Sequence, residues 1–137
     1  MKGLPRDVAG VVLAVLALAN LVAAVWALVT PVHWYANFPA RVPDFGPANV
    51  HFVRDVGVSL LVMAVATAWA ALRPSVRPPL VAMATLFFTL HALVHAFDTA
   101  RGLVDARHWW IDLPTTYLPA LLLLLITVSL RSGQRRR

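Results

Sequence analysis

The chain has 137 residues, of which 60% are hydrophobic, 13% charged and none cysteine, and its mean hydropathy is +0.73. That balance excludes an ordinary soluble globule, a disordered tail and a disulfide scaffold, and the lack of thiols removes thiolate metal sites and cysteine nucleophiles. The net charge of +6, with Arg135, Arg136 and Arg137 clustered beside an apolar segment, fits cytoplasmic anchoring in a lipid bilayer and argues against nucleic acid as a partner.

The first apolar stretch covers residues 8–30, too long for the apolar region of a signal peptide, and is read as a retained helix. Pro31 ends it. A loop of about twenty residues then carries Trp34, Tyr35, Phe38 and Phe45 among four prolines, as an interfacial aromatic belt or as a lid. The second span covers 51–72 and stops at Arg73-Pro74; the third covers 80–100 behind Pro78-Pro79, where missing N–H groups cost nothing. The fourth covers 113–130 and contains Pro119, whose ring is expected to clash with the carbonyl of Thr115 and kink the helix. Each stretch approaches or exceeds the roughly 20 helical residues needed to cross a hydrocarbon core. Asn20 is expected to bond between helices, and Gly57 to permit close helix approach.

The expected fold is therefore all-α, an integral membrane four-helix up-down bundle forming a single transmembrane domain over 1–137. Lys2, Arg6, Arg73, Arg77, Arg131 and Arg135 to Arg137 fall on one side, against Arg41, Arg54, Arg101 and Arg107 on the other. This bias places both termini in the cytoplasm. All five histidines and every acid except Asp7 then fall in the outer half.

Ionisable side chains within membrane spans are costly, so their presence points to function. The second span opens with HFVRDVG, which sets His51 and Asp55 one helical turn apart with Arg54 beside them. The third carries HALVHAFD, in which His91, His95 and Asp98 share one stripe. Counted outward from the turn near Val76, Asp55 is expected to face His95 or Asp98 on the antiparallel helix. Three imidazoles and two carboxylates form a ligand set suited to Zn, Fe or Mn, without the soft sulfur that favours Cu(I). His33 and His108 are possible further ligands from the loops, and Arg54, Trp34 and Tyr35 possible substrate or supporting contacts. A haem held by His51 and either His91 or His95, with Arg54 at a propionate, is an alternative. Ser59 follows Asp55 by one turn as a catalytic candidate; alkaline ceramidase-like membrane hydrolases, which have more spans, similarly combine histidines, an aspartate and a serine around zinc. More commonly such a serine bonds its own i−4 carbonyl.

The string WYANFPARVPDFGPANVHFVRDVG, followed by HALVHAFD, resembles a group of small bacterial four-span membrane proteins with no assigned activity. Their pattern is W-Y, then G-P-x-N-x-H-F-x-R-D-x-G, then H-A-x-x-H-x-x-D. It matches Trp34, Tyr35, Gly46, Pro47, Asn49, His51, Phe52, Arg54, Asp55, Gly57, His91, Ala92, His95 and Asp98, and departs at Ala40, where a glycine is expected. The resemblance implies that the polar stripe is a family feature. The reading is an inner-membrane protein with an outward-facing divalent-metal site serving redox or hydrolytic chemistry on a membrane-soluble substrate. The alternative is a non-catalytic accessory subunit, in a homo-oligomer or a larger membrane complex, whose His/Asp/Arg network is structural.

Overall fold

Proline and glycine punctuation, together with four apolar runs, yields helices joined by short ordered connections in the computed structural model. It describes the backbone of residues 6–134 and the side chains of 8–132. Lys2 and Arg135 to Arg137 lie outside the described residues, as do the side chains of Arg6 and Asp7. The elements are α1 (Arg6–Val29), α2 (Pro31–Asn37), a 3-10 turn (Val42–Phe45), α3 (Val50–Leu72), α4 (Arg77–Ala100), α5 (His108–Ile111), a π-helical turn (Leu113–Tyr117) and α6 (Leu118–Gln134). Four stretches, Val8–Val29, Val50–Leu72, Arg77–Ala100 and Leu113–Ser132, are long and apolar enough to cross a membrane.

The helices pair as α1 with α3 and α4 with α6, and α3 meets α4 beside their connecting turn. Toward that turn, Leu13 and Leu16 of α1 pack with Val81 and Phe88 of α4 and with Leu123 and Ile126 of α6. At the opposite end, hereafter the loop end, Ala27, Trp34 and Val53 form a second cluster. Thr85 and Thr127 bond at 2.8 Å between α4 and α6, a polar contact that fixes register where apolar side chains alone discriminate poorly against lipid. Asn20 bonds within its own helix instead, Nδ2 donating to the Leu16 carbonyl at 2.7 Å, because a buried amide one turn on can reach it.

Gly57 supplies the close approach between α1 and α3. A Cβ there would stand 2.9 Å from Leu28 Cγ and 3.2 Å from Ala27 Cβ. Gly57→Ala is therefore expected to push the pair apart and cost about 1–3 kcal/mol, as overpacking of a tight contact does. Thermal unfolding in detergent checks this, and an unchanged midpoint would mean that the α1–α3 contact is loose.

The loop after α1 is ordered. Pro31 occupies the first turn of α2, where it needs no donor. Gly46 closes the 3-10 turn at φ 130, a backbone region that disfavours side-chain-bearing residues, and Tyr35 donates its hydroxyl to the Gly46 carbonyl at 2.6 Å. Asn49 caps α3, its Oδ1 accepting from the N–H groups of His51 and Phe52. Ahead of Pro119 the ladder widens: the Tyr117 N–H reaches the Asp112 carbonyl and the Leu118 N–H that of Leu113, each five residues back. A π turn is one way a helix accommodates a proline ring that would otherwise strike an i−4 carbonyl.

Candidate functional site

The turns at the loop end bring together residues that are distant in sequence. α4 contributes His95, the α5 turn His108, the start of the π turn Asp112, and the 3-10 turn Asp44. His95 Nδ1 lies 2.8 Å from Asp112 Oδ2, and His108 Nδ1 lies 3.2 Å from Asp112 Oδ1. His108 Nε2 lies 3.2 Å from Asp44 Oδ2. Asp44 also accepts from Arg41 Nε at 3.1 Å and from an Arg107 terminal nitrogen at 3.2 Å. His108 and Asp112 are fully buried, while Asp44 sits at the rim. The result is a chain, His95, Asp112, His108, Asp44, ending in two arginines.

Hydrogen-bond capacity decides what this chain can do. Both ring nitrogens of His108 face carboxylate oxygens of the protein, so neither is turned toward an open position where a metal could bind. Asp112 spends one oxygen on each histidine. Asp44 is held below the usual carboxylate range, chiefly by its bond to His108 and further by Arg41 and Arg107, against a partial desolvation cost. Its stabilising contribution is thus full above the ordinary carboxylate pKa and is lost only as pH falls through the lowered one. Arg41 adopts φ 52, a left-handed conformation that is unfavourable for a side-chain-bearing residue, and the Arg41–Asp44 ion pair spans the turn that contains it.

Phe45 follows Asp44 and packs on both histidines, its ring centroid 4.8 Å from that of His95 and 4.9 Å from that of His108. The aromatic residue over the histidines is therefore Phe45. Trp34 instead stacks on Phe38 within the core at 4.8 Å, and Tyr35 ties down Gly46. His91 meets the His95 ring edge to face at 4.6 Å.

The remaining candidates are dispersed. His51 and Asp55 pair loosely with each other at 3.5 Å on an exposed face of α3, with side chains 78% and 60% exposed. Neither bonds to α4. Asp98 is half-buried and joins none of these bonds, and Arg54 is exposed. His33 Nδ1 accepts from Trp26 Nε1 at 2.9 Å, which puts the proton of a neutral ring on Nε2 and occupies its single acceptor. Ser59 donates to the Asp55 carbonyl at 2.9 Å, the back-bond common for serine in membrane helices. Among the described residues, no three His, Asp or Glu side chains form a group able to hold a metal ion.

Sequence reasoning missed Asp44 and Asp112 as the carboxylate partners. One signal for Asp112 was present, since His108 and Asp112 repeat the His-x-x-x-Asp spacing of His51 and Asp55. No protein-family model matches the chain, and no curated protein or solved structure is significantly similar to it.

Proposed function

We propose that this is a small multi-pass protein of a bacterial cytoplasmic membrane, with both termini cytoplasmic, serving as a non-catalytic subunit of a membrane assembly. Its outward end is shaped by the His/Asp/Arg clasp. The observation that carries this reading is how the buried members of the network are engaged: both nitrogens of His108 and each oxygen of Asp112 have a protein partner. Such a network positions the loops, and neither nitrogen of His108 is left facing a ligand. The positive-inside bias supports the orientation, and the resemblance to small four-span bacterial proteins supports the location.

One observation favours a second reading, a divalent metal held by His91 and His95. A carboxylate behind an imidazole Nδ1 is how ligating histidines are oriented, and Asp112 stands behind His95 in that manner with the His91 ring adjacent. Thermal unfolding of wild type and His95→Ala, each with and without chelator and alongside metal content, separates the two. The clasp reading expects no stoichiometric metal and a stability gap that chelator leaves unchanged, because a buried carboxylate has lost a partner. Stoichiometric metal that is lost in His95→Ala, with melting temperatures converging after chelation, would overturn it in favour of the metal.

A further inference from the structure

The polar residues at the start of α3 have no role in the clasp, yet they occupy a helix that is long and apolar enough to span a membrane. α3 turns Val53, Gly57 and Ala64 inward. On another side, His51, Asp55, Val58, Val62, Val65 and Trp69 follow one another at alternating spacings of four and three residues. All are exposed: the four apolar members are between 50% and 58% accessible. Alternating four and three is the spacing of a seam that stays in contact with a second helix over several turns.

An apolar seam alone would be satisfied by lipid. Its first two turns are different, because they hold a carboxylate, an imidazole and, beside them, the Arg54 guanidinium, which has no ion-pair or hydrogen-bond partner among the described residues. Asp55 has only the loose pairing with His51 at 3.5 Å, and an anionic headgroup drawn to Arg54 would be repelled by Asp55. A second copy of the same helix suits both charges. In a parallel pair related by a two-fold axis along the membrane normal, equivalent residues lie level, so the two Asp55 carboxylates approach each other across the axis and Arg54, one position before each, flanks Asp55 of the other copy and offsets that repulsion.

We propose that the chain forms a two-fold homodimer through this face of α3, closed at the loop end by reciprocal Arg54–Asp55 pairs, with Val58, Val62, Val65 and Trp69 continuing the contact. The inference rests on the reading of the chain as part of a membrane assembly and names the partner. Its test leaves the clasp untouched, so the two fail separately.

The chain contains no cysteine, so single cysteines report without interference. With a membrane-permeant oxidant in native membranes, Val62→Cys is expected to give a disulfide-linked dimer. Val25→Cys, on an exposed position of α1, is expected to stay monomeric. In the Val62→Cys background, Arg54→Asp should reduce the dimer about tenfold, the effect of losing roughly 1.4 kcal/mol of interhelical contact. Adding Asp55→Arg should restore it, which also shows that the variants fold. No dimer at Val62, equal dimer at Val25 and Val62, cross-linking to a different protein, or a double exchange that fails to restore the dimer would each overturn the proposal.

Discussion

Replacing Asp112 by alanine is expected to destabilise the protein by about 3–5 kcal/mol, the range found when one partner of a buried ionic pair is removed. Asp112 is fully buried and, among the described residues, is the only side chain that bonds both His95 and His108. Without it, His108 keeps a buried Nδ1 facing a cavity and remains tied only to Asp44 at the rim. The loss should spread to the 3-10 turn, since Asp44 and Phe45 are seated by the same histidine. Amide exchange over residues 42–46 should therefore accelerate together with the fall in unfolding midpoint. Asp112→Asn retains the shape and one acceptor and should fall between wild type and alanine. If Asp112→Ala melts with wild type, the chain of bonds is not what holds the loop end together.

The four helices were legible because a membrane span needs only length and hydropathy, and their limits because prolines cannot continue a helix beyond its first turn. Gly57 was legible as a close approach because removal of a Cβ has few other uses in a helix. The site was only half legible. Counting residues along antiparallel helices led to the expectation that Asp55 faces His95 or Asp98, but a count bears on depth alone. Which side chains then meet depends on rotation about each helix axis, and α3 is turned so that Val53 and Gly57 face α1, with His51 and Asp55 left exposed. His95 is met instead by Asp112, which the α5 and π turns fold back toward α4. The local string HWWID carries the turn-apart spacing that marks the pair within it, but nothing in it announces a partner on α4. Asp44 had no local signal, because its contact with His108 spans 64 residues.

Arg77 shows how a count of charges can conceal a structural role, and it leads to the second large effect. By loop charge it is equivalent to Arg73, since both stand between the second and third spans. In the structure Arg73 is exposed while Arg77 is only 4% accessible. From the first residue of α4 its guanidinium reaches back over the end of α3, Nε donating to the Ala70 carbonyl at 2.8 Å and a terminal nitrogen to the Ala71 carbonyl at 3.0 Å. Those carbonyls belong to the last turn of α3, which has no intrahelical donors to offer them, and a cation there also suits the helix dipole. Charge-assisted bonds of this kind are worth about 1.5–3 kcal/mol each. Arg77→Met, which keeps the apolar stem and removes the donors, should thus cost about 3–5 kcal/mol in thermal or denaturant unfolding. Arg77→Lys should recover part of this, because a single ammonium cannot fork across two carbonyls as a guanidinium does. Arg73→Met should stay within about 0.5 kcal/mol of wild type, as exposed substitutions do. Equal effects at the two arginines would mean that their common contribution is to topology, and that the buried fork over α3 adds nothing to stability.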